Sequence, residues 1–345
     1  MNKGHTRCIF VGGALAIALA LAAPLTQAQD KQVELKFAHW LPAQHPLAKL
    51  GFIPWAKSVE AASKGSIKVT IYPAQQLGKA PNHYDMARDG IADVTWANPG
   101  YQADRFPIFG VSELPFQFSS PGAGSKALDA WYRAYAAREM KDVKFCFAHI
   151  HIGALHSKKP ITEPEQIKGM KIRPAHGTMA QYVSLLGGTS VQVSAPEARD
   201  ALEKGVADAI TFPWHSIITF GIDKVVKYHT DMRLYAAAFV WSMNKDFYQK
   251  LSASQKKVID NHCSNEWAAK VGEDWGNDED SGQALMAKLP GHTIVKVTDA
   301  QRVSWRRAAE PLTATWLAKA NSSGINTQEA LDAFRKALEA HNAAY

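Results

Sequence analysis

Hydrophobic positions along the chain switch repeatedly between a period of two and a period near 3.6, the signature of strands alternating with helices. Val33–Ala38 alternates as a first strand, residues 47–63 keep helical spacing despite Pro54, and Ile67–Tyr72 alternates again. A short helix over 81–88 then leads to a strand over 92–97. The middle of the chain repeats this order. A strand ending at Arg173 precedes a helix that Thr178 caps and Gly187-Gly188 stops. A short strand over 190–193 follows, then a helix opened by the capping box Ser194-x-x-Glu197, with Pro196 in its first turn and Gly205 at its close. A strand over 206–212 completes the set, and the order predicts parallel α/β layers.

The segment Asp89-Gly90-Ile91-Ala92-Asp93 is echoed by Lys204-Gly205-Val206-Ala207-Asp208, so two similar domains are expected. Residues 143–155 are long and extended and should run from the first domain into the second, with 236–243 as the return crossing. A polar-faced helix over 253–289 should span both. Helices near 299–320 and 327–343 are expected to pack on the second domain. The predicted division is residues 29–150 with 237–276, and 151–236 with 277–345. Two crossing strands and one spanning helix make a hinge of few residues, suited to domain closure on a ligand.

The N-terminus carries Lys3 and Arg7, an apolar run over 9–23, and Thr26-Gln27-Ala28, the three-part layout of a secretory signal peptide over residues 1–28. The run is short against the roughly 20 apolar residues of a full span, which disfavours an uncleaved anchor. Cys8 precedes it, which disfavours a lipoprotein. An exported, periplasmic protein of two domains is expected. The 39 Lys and Arg against 32 Asp and Glu give a net charge of +7, and loss of the signal lowers this by two. These charges are scattered, which gives no nucleic-acid footprint and suits an anionic ligand only loosely. Cys146 and Cys263 remain after processing. An oxidising compartment permits a bond between them, but one pair in a chain this size is no framework, and two buried free thiols are favoured.

No GxSxG, HExxH, GxxxxGK[ST] or helix-opening GxGxxG motif occurs. The run His149-Ile150-His151-Ile152-Gly153-Ala154-Leu155-His156 invites a metal reading, but period two puts His149 and His151 on one strand face and His156 on the other. Without a fourth ligand set nearby, no metal or cofactor is expected. His151 could still line a cleft, and with a pKa near neutrality it would make binding mildly pH-dependent. Arg173 is the sharper candidate. Pro174 disfavours the α region for the residue before it, so the arginine should sit extended at a strand end with its guanidinium projecting from fixed backbone.

Met170-Lys171-Ile172-Arg173-Pro174, the following Leu186-Gly187-Gly188, the run from Ser194 to Pro213, and upstream Ile71-Tyr72-Pro73 and Asn98-Pro99-Gly100-Tyr101 occur in an order that resembles the DctP-type solute-binding proteins of TRAP (tripartite ATP-independent periplasmic) transporters. The resemblance covers nearly the whole mature chain. It implies a two-lobed periplasmic binding protein with no catalytic role, a monomer partnered by small and large membrane permease subunits, and an arginine at position 173 that pairs with the ligand carboxylate. It also implies a departure: Phe212 stands where several relatives carry asparagine, trading a polar partner for an apolar wall. Phe212 and Trp214 flank Pro213 at a strand end, where open α/β sheets place ligands. His39 and Trp40 after the first strand, with Trp96, Asn98 and Tyr101 at the end of another, should line the opposite lip. Asn98 and Gly153 occupy positions where sialic-acid-binding relatives carry an acidic group and a second arginine, so a sialic acid is disfavoured. A cleft rich in rings and poor in charge points to a small aromatic or otherwise apolar monocarboxylate. A binding protein of an ATP-driven importer, a ligand-sensing receptor and, more remotely, a periplasmic hydrolase or lyase remain as alternatives.

Overall fold

The computed structural model describes residues 1–4, 30–102 and 104–345, so the expected signal peptide, with Cys8 and the processing site at Ala28, lies outside the described residues apart from its first four. β1 (Val33–Ala38) pairs in parallel with β2 (Ile67–Tyr72) and β3 (Val94–Ala97), with α1 (Ile53–Ala62) and α2 (His83–Arg88) as the connections. Pro54 is tolerated because the helical run widens just before it into a π-type turn over Ala48–Phe52, where Ile53 N donates to Ala48 O and the ladder is already irregular. α3 (Pro121–Glu139) leads into β4 (Lys144–Ser157). The second half then builds β5 (Lys171–Arg173), α4 (Gly177–Leu185), β6 (Thr189–Ser190), α5 (Ala195–Glu203), β7 (Ala209–Phe212) and α6 (Trp214–Thr219). β8 (Tyr228–Met243) returns across the molecule, followed by α7 (Lys245–Lys250), α8 (Ala253–His262), α9 (Asn265–Met286), β9 (Thr293–Val295), α10 (Asp299–Ala309), α11 (Pro311–Asn321) and α12 (Thr327–Ala340).

All strands join one sheet in the order β2-β1-β3-β8-β4-β7-β5-β6, with β9 beside β8. The antiparallel pair β4–β8 is shared: β8 pairs with β3 over Val240–Met243, and β4 pairs with β7 over Ala154–Ser157. Between these stretches the β4–β8 register shifts at Gly153/Leu155, where β8 advances from Thr230 to Tyr235. Bulges of this kind bend a strand and re-aim its side chains.

The repeat seen in the sequence is structural. Asp93 accepts from Lys36 N at 2.7 Å while its own N–H donates to Lys36 O, and Asp208 and Lys171 make the same two bonds. Gly90 and Gly205 take positive φ of 71° and 69°, which glycine adopts without strain.

α9 lies across both halves because glycine removes the bulk that would keep it away. A Cβ on Gly276 would fall 2.3 Å from Pro121 of α3, and one on Gly282 would fall 2.3 Å from the His215 nitrogen of α6. The expected single helix over 253–289 is broken after His262, where Ser264 caps α9 by accepting from Trp267 N. At that break Cys263 is bonded to Cys146 at the start of β4, a disulfide where two free thiols had been favoured. The sequence separation of 117 residues gave no hint of their proximity. The last helix also departs from expectation. α12 packs on α3, with Trp131 Nε1 donating to Ala330 O and Phe118 bridging to Ala344, so the C-terminal segment reaches the first half.

Candidate functional site

β5 holds Arg173 in place through a short parallel pairing with β7, and the side chain is 1% exposed. Nε donates to Val193 O at 3.0 Å, Nη1 to Thr211 O at 3.4 Å and Nη2 to the Tyr101 hydroxyl at 3.3 Å. The guanidinium carbon lies 5.6 Å over the Phe212 ring. All three hydrogen-bond acceptors are neutral, and among the described residues no carboxylate pairs with this guanidinium. A guanidinium has five N–H donors, so two remain, and this planar fork suits a carboxylate.

Arg173 lines a narrow cavity of about 30 Å³. Seven of the sequence candidates lie in its wall: Trp40, Trp96, Asn98, Tyr101, His151, Arg173 and Phe212. Tyr101 comes from the turn after β3 and crosses to the other half, its hydroxyl accepting from both Arg173 and Ala195 N. Asn98 Oδ1 accepts from Gly100 N at 2.9 Å, which turns its Nδ2 group the other way. Trp96 stacks on Phe239 at 4.3 Å and meets Trp40 at 4.6 Å, forming a flat apolar wall. Arg173 is the one Lys, Arg, Asp or Glu in the lining.

His39, Trp214 and Gly153 stand outside the lining. His39 and Trp40 point to opposite sides of an extended chain, so only one can face the cavity. The His39 ring instead packs 4.5 Å from Phe52 in the core. Trp214 opens α6, which breaks the period that would have put it beside Phe212, and its ring meets His156 edge-on at 5.1 Å. Gly153 acts through what it lacks: a Cβ there would fall 2.4 Å from the Tyr235 hydroxyl, and Tyr235 is a wall residue. A side chain at 153 would push that ring away.

The histidine run also divides. His149 Nε2 accepts from Trp96 Nε1 at 2.8 Å, His156 pairs with His229, and His151 faces the cavity. Burial pushes the His151 pKa down to about 3, so the condition for pH-dependent binding, a pKa near neutrality, is not met and the ring stays neutral there. Helix starts differ too. His176, not Thr178, caps α4, its Nδ1 accepting from Met179 N, while Thr178 donates to Glu113 Oε2 across the halves. The Ser194 side chain makes no cap bond to α5. Burial disfavours the Glu113 charge, while the Thr178 hydroxyl, donating to Oε2 at 3.0 Å, favours it.

Sequence reasoning missed Tyr235, Phe239 and Trp275. The first two alternate with Ala237 on β8, a period-two signal that was available, whereas Trp275 sits on α9 with nothing local to mark its role. Ser216 and His45 were also missed, and their contact resembles a nucleophile and its base. The tautomer forbids that chemistry. His45 Nδ1 accepts from Leu47 N, so in the neutral ring Nε2 carries the proton and donates to Ser216, whose hydroxyl in turn donates to Glu279. His45 is therefore not a base for Ser216.

The model of the bacterial extracellular solute-binding protein family 7, DctP, matches residues 37–320. A TRAP solute-binding protein from Rhodoferax ferrireducens, solved with copurified benzoate, is 29% identical with a TM-score of 0.87 and covers 90% of this chain and 99% of its own. A marine metagenome TRAP solute-binding protein specific for aromatic acid ligands, solved with 3-hydroxybenzoate, is 33% identical with a TM-score of 0.86, covering 91% and 100%. A TRAP periplasmic solute-binding protein from Bordetella bronchiseptica, with (R)- and (S)-mandelate bound, is 26% identical with a TM-score of 0.83, covering 89% and 99%.

Proposed function

Because the chain belongs to the bacterial extracellular solute-binding protein family 7, we propose that it captures an aromatic monocarboxylate in the periplasm and delivers it, as a monomer, to the membrane subunits of a TRAP permease. The observation that carries this reading is the Arg173 guanidinium: buried, bonded only to neutral acceptors, with two N–H groups to spare, in a wall rich in aromatic rings. A buried cation without a counter-charge is costly, and an organic carboxylate supplies the charge while the rings take its apolar body.

Two lobes enclose the site on this account, residues 29–150 with 237–276 and 151–236 with 277–345, with α12 reaching back onto α3 of the first. Trp40, Trp96, Asn98, Tyr101 and Phe239 come from one lobe, and His151, Arg173, Phe212 and Tyr235 from the other. Only closure brings both sets onto one ligand, so binding energy shifts the open–closed population by its differential affinity. The aromatic acids bound by the Rhodoferax, metagenome and Bordetella relatives support the ligand class. No described helix is long and apolar enough to cross a membrane, which fits a protein that meets its permease from outside.

The test is a thermal-shift and calorimetric screen of aromatic, keto and aliphatic acids, dicarboxylates and sugars on refolded, ligand-free protein. Stabilisation by aromatic monocarboxylates is expected. Shifts from dicarboxylates or sugars alone would overturn the reading.

A further inference from the structure

Six rings of the cavity wall carry a polar atom outside the His45–Ser216 pair, and they fall into two groups. Trp96 Nε1 is spent on His149, Trp275 Nε1 on Glu279, and the Tyr101 hydroxyl on Arg173 and Ala195. Trp40 Nε1, His151 Nδ1 and the Tyr235 hydroxyl have no hydrogen-bond partner among the described residues, although their residues are 4%, 4% and 2% exposed. Of the buried side-chain atoms without a partner, these three are the ones that belong to the cavity wall. Polar groups this deeply buried are nearly always bonded, and at these three the contents of the cavity, water or ligand, are the partner at hand.

Arg173 already answers for a carboxylate. We infer that the Tyr235 hydroxyl is a second polar pole that binds an oxygen substituent of the ligand, a hydroxyl or keto group on the ring or on the carbon next to the carboxylate, with Trp40 Nε1 a further unpartnered donor in the same wall. The inference rests on the aromatic-carboxylate reading and narrows it to oxygen-substituted aromatic acids. Trp Nε1 can only donate and Tyr Oη can do both, so an oxygen, with its lone pairs, suits the pair better than a nitrogen donor such as an amine. The Tyr235 hydroxyl owes its position to Gly153. A Cβ at 153 would lie 2.4 Å from its Oη, Cζ and Cε1 alike, so the phenol end rests directly on the glycine backbone. Gly153 is therefore a positioning residue for the second pole. The register shift between Gly153 and Leu155 supplies the local bend.

The test is calorimetry on full-length mature protein, stripped by unfolding and refolding, with benzoate against 3- and 4-hydroxybenzoate and with phenylacetate against mandelate and phenylglyoxylate. At least one oxygen-substituted acid should bind about tenfold tighter than its parent, the value of one well-placed hydrogen bond to a buried group. In Tyr235→Phe that ratio should collapse toward one, in Gly153→Ala likewise, and in Trp40→Phe it should fall in part. Parent acids that bind as tightly as every substituted partner in the wild type would overturn the second pole while leaving the aromatic-acid reading intact. So would a ratio that survives in both Tyr235→Phe and Trp40→Phe. Failure of all six acids to bind would overturn both readings together.

Discussion

Arg173→Met is the substitution that isolates the charge from the packing. Methionine keeps an unbranched apolar stem of similar reach but removes every donor, so Val193 O, Thr211 O and the Tyr101 hydroxyl lose their bonds and a bound carboxylate loses its counter-ion. Truncating one partner of a buried, hydrogen-bonded charge pair costs about 2–5 kcal/mol, or roughly one and a half to three and a half decades of affinity. Arg173→Lys should recover little, because an ammonium offers one point of charge and cannot hold Val193 O and Thr211 O while presenting a fork. The assay is calorimetry with 3-hydroxybenzoate and with neutral 3-hydroxybenzamide, on both variants and the wild type, alongside urea unfolding of the ligand-free proteins. The acid should far outbind the amide in wild type, and the difference should vanish in Arg173→Met. A variant that folds normally and still prefers the acid by more than about tenfold, well inside the cost just estimated, would refute the assignment of the counter-charge to Arg173.

The remaining predictions concern stability and closure. Burial holds seven histidines neutral, with pKa values near 3 for His39, His45, His149 and His151, 4 for His83 and His156, and 2 for His229. The unfolded chain takes up these protons near pH 6.5, so their stabilising effect is complete above that pH and is lost as pH falls; each costs up to about 2 kcal/mol between pH 7 and pH 5. Two or three acting fully would remove a large share of a typical 5–15 kcal/mol stability, so the urea midpoint should drop steeply over that interval, and a flat profile would contradict the burial of these rings. Reducing the Cys146–Cys263 bond, or replacing both by serine, should cost about 2–5 kcal/mol in the same assay. Gly100→Ala should disturb the contact between the halves, since its Cβ would fall 2.0 Å from Glu113 Oε1 and 2.5 Å from His176 Cβ; weaker ligand binding together with a lower melting temperature is expected, and no change in either would show that the contact gives way freely.

How much of this was legible in the chain depends on whether the signal was local. Arg173 could be read because Pro174 constrains it and β5 is short and extended, and the paired Asp93 and Asp208 turns could be read because one bond pattern writes the same five-residue motif twice. His39 and Trp214 were expected in the cavity and face elsewhere, the first because alternation lets only one of His39 and Trp40 point inward, the second because α6 starts at that residue. Trp275 and the disulfide depend on α9 crossing both halves, a tertiary event with no period of its own. Gly153 was singled out for the side chain it replaces, yet its role lies in the space it leaves to Tyr235, which becomes visible only when β4 and β8 are paired.

The central claim is met most directly by a crystal structure of the refolded protein with 3-hydroxybenzoate. The account predicts the carboxylate within about 3 Å of the two free Arg173 N–H groups, and the ring against the aromatic side chains of the cavity wall. A carboxylate bound by other groups, with Arg173 unchanged and bonded to protein alone, would contradict it.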